Sequence, residues 1–593
     1  MTQTLRIKCQ YGFMAIAGAI LVASSSVAGD VAVAGSKGGR CPAEVLHVVS
    51  AETPFLLVPV DNGEACRYRL EVHDGEKRVR FWNVGWGTGK VDWYAPLDLS
   101  EFAGRELSFR IANRPERMAR IALAGLRFAA KPELPANVYD EPKRSQLRLS
   151  PTLGWNNDPN GLSWRNGEYH VFFQHNPCGR IWQNMTWGHF VSKDLVHWRD
   201  VGDVIHPDAL GPMYSGSAVT DKGNTAGFGE NAHVLAYTAA GNPAVQCLAY
   251  STDGRRYVKY GGNPVIGKIK SACRDPKVFW HEPTRQWVQL LYVGAVEKDG
   301  DRWHTFHIFN SPDLKNWTLT DVVYGDKDHK EYPKGTQNGR YLYECPDLVE
   351  LKVEGTGEKL WVIWGASGEY GIGTFDGRKF KAGESRIKTT FNHRRSGSNR
   401  GYYAAQSFAD DPKGRTVWMP WMKLETKDAN FNQGFGIPMS LSLKRTDEGL
   451  RLAFDPVEEY KTLRDGTPMS FEEFDGELAE AFFTADVSED ASIVFDLRGE
   501  KLVFDAAHSC MTLPSKDGKK PTTFTWKAKD GRLSVRFFID RLGLEVLSGD
   551  GLQLAPFATF CPDPRNRSLS CAVRKGRVEN VKTRVYRLRS IWK

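Results

Sequence analysis

The sequence predicts an all-β chain: a five-bladed β-propeller, a C-terminal β-sandwich behind it and a small β-domain in front. Three observations carry this. The 593 residues include 18 Trp, 20 Tyr, 31 Phe, 57 Gly and 30 Pro, a composition that favours strands and tight turns over helices. A short motif recurs at an even interval through the middle of the chain. Alternating apolar and polar runs mark both flanks.

At the N-terminus, Arg6 and Lys8 precede an apolar run over 13–23, and small residues follow at Ser26 and Ala28. This predicts a signal peptide over 1–28, with an alternative cleavage after 34. Export is expected, to the periplasm or the medium. No later run of about 18 uncharged apolar residues predicts an integral membrane segment. Cys41 with Cys66, and Cys561 with Cys571, are close enough in sequence to be disulfide candidates in an oxidising compartment. No C-x-x-C spacing is present, which speaks against a zinc ribbon.

The block 41–130 carries strand patterns over 78–82 and 107–111. The Pro-rich, polar stretch 131–146 marks a domain boundary. The repeat then follows: Ser192-Lys-Asp-Leu-Val-His-Trp198, Ser251-Thr-Asp-Gly-Arg-Arg-Tyr257 and Ser311-Pro-Asp-Leu-Lys-Asn-Trp317. The short Asp suits a turn capped by its own backbone, with the aromatic packing back on the hairpin. A period near 60 residues divides 147–460 into about five blades. After a polar break near 461–475, alternating runs over 492–496 and 533–540 predict a sandwich across 475–593.

The net charge of +8 is spread thinly, and its longest basic cluster is the short 392–396. A nucleic-acid partner calls for a concentrated stripe, so none is expected.

Three acidic residues stand in unusual settings. Asp158 lies in Gly154-Trp-Asn-Asn-Asp-Pro-Asn-Gly161, read as a turn at a blade edge. Asp275 lies in Cys273-Arg-Asp-Pro276, where Arg274 is placed to hold it charged. Glu344 lies between Tyr343 and Cys345, a semi-apolar setting that favours the protonated form. One ionised and one protonated carboxyl flanking a bond is the requirement of glycoside hydrolysis. A propeller can gather such residues from several blades into one axial pocket.

These residues resemble glycoside hydrolase family 32, the fructan hydrolases and invertases. Trp155 to Gly161 is similar to that family's Trp-Met-Asn-Asp-Pro-Asn-Gly box, with Asn156 in the place of Met. Arg274-Asp275-Pro276 and Glu344-Cys345-Pro346 match its other signatures in order. Lesser likenesses fall at 169–177, 187–189, 214–217 and 403–406, and in the last domain at 536–540 with Glu545. The resemblance implies a secreted retaining β-fructosidase acting on terminal β-D-fructofuranosyl residues of levan, inulin or sucrose. It implies Asp158 as nucleophile, Glu344 as acid/base and Asp275 as transition-state stabiliser. It implies a pocket lined by Asn157, Gln174, Trp182, Ser215 and Arg274, with Trp187, Tyr214 and Trp421 as further wall residues. No metal or cofactor is implied. A fructosyltransferase, or a fructan-binding protein of weak activity on the same fold, is the alternative.

Overall fold

Five successive antiparallel meanders occupy the middle of the chain in the computed structural model. The model describes residues 33–34, 43–63, 67–112, 114–269, 272–326, 338–391, 401–516, 518 and 520–592. The expected signal peptide, the Cys41–Cys66 pair and the basic cluster 392–396 lie outside the described residues. Strands dominate: among the described residues there is one α-helix, Glu116–Leu123. No helix there is long and apolar enough to cross a membrane.

The first meander runs Gly154–Arg165, Glu168–Asn176, Thr186–Ser192 and Trp198–Ile205. The second begins at Met213–Asp221, the third at Cys273–His281, the fourth at Asp347–Lys352 and the fifth at Tyr402–Ser407. Interior strands such as Thr186–Ser192 and Ala232–Ala239 are buried at every position. Both their faces are covered by neighbouring sheets, which is why the sequence there lacks the strict apolar–polar alternation of a half-exposed strand.

The repeated motif has a clear structural job. In each copy the Ser ends the third strand of its meander. Asp194 then accepts the amides of Val196 (3.0 Å) and His197 (2.8 Å). Asp253 does the same for Arg255 and Arg256, and Asp313 for Lys315 and Asn316. The residue after each Asp takes a positive φ: 63° at Leu195, 73° at Gly254 and 62° at Leu314. Two backbone amides and the Ser hydroxyl gathered on one carboxylate over-determine that turn. A fourth copy, hidden in the sequence, stands at Thr374-Phe-Asp-Gly-Arg-Lys-Phe380. There Asp376 accepts from Arg378 and Lys379, and Gly377 has φ 93°.

The fifth meander closes back on the first. Phe431–Asn432 pairs in parallel with Gly154 and Trp155, and Ala409 bridges Ser163. Buried Lys277, from the third meander, donates to Asp347 of the fourth (3.1 Å) and to Ser407 of the fifth (2.9 Å).

Two sheets follow at the C-terminus, one of six strands and one of five. Two of their strands, Ser492–Leu497 and Arg532–Ile539, fall where alternation was read. The expected break near 461–475 is instead occupied by a strand, Arg464–Met469, paired with Val578–Leu588. It is largely exposed, so it carries no apolar alternation to read. Cys561 and Cys571 are free thiols, against expectation. Cys571 is fixed on Leu569–Lys575 opposite Phe495, whereas Cys561 is in a loop whose amide turns to Glu500.

Residues 144–148, polar except for Leu147 and read as the end of a linker or at its edge, are deeply buried. Arg148 donates to Asp540 (2.7 Å) and Glu545 (3.0 Å), and the amides of Gln146 and Leu147 also reach Asp540. A buried guanidinium is tolerated only when paired and hydrogen-bonded in this way. The segment therefore pins the C-terminal sheets to the meanders.

At the N-terminal end, a five-stranded sheet that includes Lys77–Gly85 and Glu106–Ala112 accompanies a three-stranded one. They share a core with Trp82, Trp93 and Phe109.

Candidate active site

One pocket collects residues from all five meanders. It has a volume of about 180 Å³, the room of about six waters. Its acidic members come from separate meanders. Asp158 lies on the first strand of the first, Asp275 on the first strand of the third, and Glu344 just before the first strand of the fourth.

A local irregularity accompanies each delivery. Pairing slips between Phe173 and His175 opposite Asp158, between Tyr214 and Gly216 at Ser215, and between Arg274 and Lys277 at Asp275. It slips again between Tyr403 and Gln406. Such bulges re-aim a side chain out of the strand's strict alternation. Asp275 (φ 64°) and Glu344 (φ 57°) are themselves left-handed, a strain met often at functional sites. Asp158 is thus held in a bulged strand, not in the turn expected from its Asn and Pro neighbours.

The contacts differ from the sequence reading at two points. Arg274 was expected to hold Asp275. It donates instead to Glu344, from Nε at 3.1 Å and Nη2 at 2.6 Å. Asp275 stands 3.9 Å from that guanidinium and accepts the amide of Cys345 at 3.1 Å. Glu344 was expected in a semi-apolar setting. Its second oxygen accepts the Tyr403 hydroxyl at 2.5 Å, so both oxygens face donors. Asp158 accepts the Ser215 hydroxyl at 2.6 Å and has the Cys345 thiol 3.6 Å away.

Burial pushes the Asp275 carboxyl up to about 7; Glu344 and Asp158 add to the effect and Arg274 opposes it. Burial also raises Asp158, with Glu344 adding, against the Ser215 hydrogen bond. Burial opposes the charge of Arg274, but Asp275 and Glu344 hold it charged above its ordinary range.

Of the expected wall residues, Asn157, Gln174, Trp182, Tyr214, Ser215 and Trp421 line this pocket. Gln174 is fixed by the Met213 carbonyl at 2.9 Å. Trp182 is 53% exposed at the mouth, edge-on to Tyr214. Trp421 is held by Gln433 at 3.1 Å. Trp187 does not line it: the side chain is fully buried, with its indole N–H on the Tyr214 carbonyl at 3.1 Å. It sits behind the wall and supports it. Asn156, the departure in the box, is buried with its amide nitrogen on the Asn157 carbonyl.

Two pocket neighbours were not assigned from sequence. Tyr403 lines the pocket; its only signal was its place in the 403–406 likeness. Lys423 lies over the Tyr403 and Trp421 rings, 4.6 and 4.8 Å from their centres. Burial pulls its ammonium down to about 8, against the pull of Asp158 and Glu344.

Residues 148–456, which contain all three carboxyls, match the family described as Glycosyl hydrolases family 32 N-terminal domain. The chain belongs to glycosyl hydrolase family 32. Within family 32, a levanase of Bacillus subtilis (strain 168) is 33% identical over 512 residues, covering 77% of this chain and 72% of the relative. An extracellular exo-inulinase of Aspergillus awamori is 28% identical over 541 residues, covering 77% and 96%. The crystal structure of exo-inulinase from Aspergillus awamori superposes with a TM-score of 0.65 at 26% identity, over 77% of this chain and 100% of that one. The β-fructofuranosidase of Schwanniomyces occidentalis, complexed with fructosyl-erythritol, shares the fold with a TM-score of 0.62 at 22% identity, over 75% and 98%. Residues 42–148, which meet the family 32 match at residue 148, correspond to a family described as Domain of unknown function (DUF4980).

Proposed function

We propose that this protein is a retaining β-fructosidase that removes terminal non-reducing fructofuranosyl residues from levan, inulin or sucrose. The observation that carries the reading is the pairing, in one small pocket, of a Ser215-oriented Asp158 with a Glu344 gripped by Arg274 and Tyr403.

In this reading Asp158 attacks the anomeric carbon and forms a covalent fructosyl-enzyme as the glycosidic C–O bond breaks. Glu344 delivers a proton to the leaving oxygen, then takes one from the water that releases fructose. Asp275 accepts hydrogen bonds from the sugar hydroxyls and balances the positive charge that develops on the ring. Retention calls for carboxyls about 5–5.5 Å apart. A pocket holding the volume of about six waters suits one terminal sugar, which favours exo action.

The five meanders are read as blades of a propeller spanning 147–460. The sheets after 475 are read as a sandwich, and 41–130 as a separate domain. Export is supported by the sequence over 1–28 and by the extracellular naming of the Aspergillus awamori relative.

Incubation with sucrose, inulin and levan, with products separated by chromatography, tests the function. Fructose alone is expected. A ladder of oligomers overturns exo hydrolysis, and no release from any of the three overturns the whole reading.

A further inference from the structure

The N-terminal region packs against the rim of the pocket. Residues 177–185 link two strands of the first meander and carry Trp182. Three separate groups of the N-terminal sheets hold this loop. The buried Trp93 indole donates to the Pro177 carbonyl at 3.3 Å. Asn184 and Asn83 exchange two bonds: the Asn83 amide donates to the Asn184 side chain (2.7 Å), and that side chain donates to the Asn83 carbonyl (2.9 Å). Arg67 reaches the Cys178 carbonyl at 3.5 Å, so near that a Cβ on Gly179 would lie 2.6 Å from its guanidinium.

The contact is also apolar. Cys178, at 0% exposure, is counted within the N-terminal core beside Trp82 and Trp93. The rim loop is therefore plugged into that core, not merely laid against it.

A second rim loop is tied to the first. Arg180 donates to the Lys427 carbonyl (2.7 Å), and Asn432 donates to the Arg180 carbonyl (3.1 Å). Asn430 reaches the Asp92 carbonyl of the N-terminal region at 3.3 Å. Gln433, the neighbour of Asn432, fixes the Trp421 indole. Both aromatic walls of the mouth thus trace back to the N-terminal sheets through a few hydrogen bonds.

We infer that the N-terminal region, 43–130, is a clamp that positions the Trp182 loop and the 426–433 segment that fixes Trp421, and thereby sets substrate affinity. The inference rests on the proposed fructosidase reading for its kinetic consequence. Trp93 and Asn184 are its positioning residues. The 177–185 loop, which has no sheet partner of its own, takes its order from such outside contacts, and ordering before substrate arrives removes part of the cost of binding.

The test uses the full chain. Trp93→Phe keeps the ring and removes the donor. Asn184→Gly keeps the left-handed backbone (φ 57°) and removes both bonds to Asn83 together with the bond to Asn176 within the first meander. Arg110→Ala, which breaks an ion pair with Glu44 inside the N-terminal region, is the first control. Asn176→Ala, which removes the bond from Asn184 and leaves those to Asn83, is the second control and should not quicken exchange over 426–433. The combined Trp93→Phe, Asn184→Gly variant should raise KM on sucrose and on fructan roughly fivefold, with kcat within about twofold. Hydrogen exchange should quicken over 177–185 and 426–433 only, and the first control should change neither. Unchanged KM with unchanged exchange overturns the clamp. So does a loss of polymer pull-down with sucrose KM intact, which would make the region a polymer-binding module. So does an equal effect from Arg110→Ala. Exchange needs no substrate, so a failure of the fructosidase reading would leave the loop protection to decide the clamp by itself.

Discussion

Arg274 spends both of its near donors on Glu344, 70 positions along the chain, while Asp275 beside it in sequence stands 3.9 Å from the guanidinium. The cation therefore orients the proposed acid/base and leaves Asp275 to the Cys345 amide.

Arg274→Lys is expected to lower kcat/KM by about 10- to 100-fold, because a point charge cannot reproduce the two-nitrogen grip. Steady-state kinetics on sucrose measure this. Wild-type values would show that the grip is incidental.

Glu344→Ala should slow cleavage of fructans by about a thousandfold or more and cleavage of an aryl fructoside with an acidic leaving group far less. Equal losses on both substrates would remove Glu344 from the acid role. Asp158→Ala should abolish turnover of both while leaving the circular dichroism and melting curve intact.

Asp275 yields a stability prediction with a defined sign. Its carboxyl holds a proton up to about 7 when folded, against about 3.9 in an unfolded chain. The folded state thus binds the extra proton between those values. The corresponding stability is complete below about pH 4 and is lost as pH rises to about 7, with a ceiling of about 4 kcal/mol. Asp275→Asn should flatten this decline. Melting temperatures of both proteins from pH 4 to 7.5 measure it, and parallel curves would refute it.

Arg148→Met should destabilise the chain by about 3–5 kcal/mol, since it leaves Asp540 and Glu545 buried without their cation. The material that stays folded should keep its kcat, because Arg148 does not line the pocket. Denaturant unfolding together with kinetics at low temperature separates the two effects.

What the sequence discloses follows from how local each signal is. The Ser-x-Asp turns are readable because one carboxylate caps the amides two and three residues after it. The fourth escapes because Thr374 and Phe380 replace Ser and the larger aromatics. The three acidic residues stand out through their immediate neighbours. Arg274's choice of partner cannot be read this way, because adjacency points to Asp275 while the bulges turn the two carboxyls differently. Trp187 looks like a wall residue by likeness alone; only packing shows that it lies behind Tyr214. Residues 145–148 look solvated because their partners, Asp540 and Glu545, are about 390 positions distant.

The parallel pairing of Phe431–Asn432 with Gly154 and Trp155 has a consequence for the order of events during synthesis. The strand bearing Asp158 leaves the ribosome long before the segment that completes its sheet. Contacts of such long sequence separation form late and slowly. The pocket's acidic residues therefore lack its closing wall until residue 432 has emerged. The pocket is complete only once the last meander docks on the first.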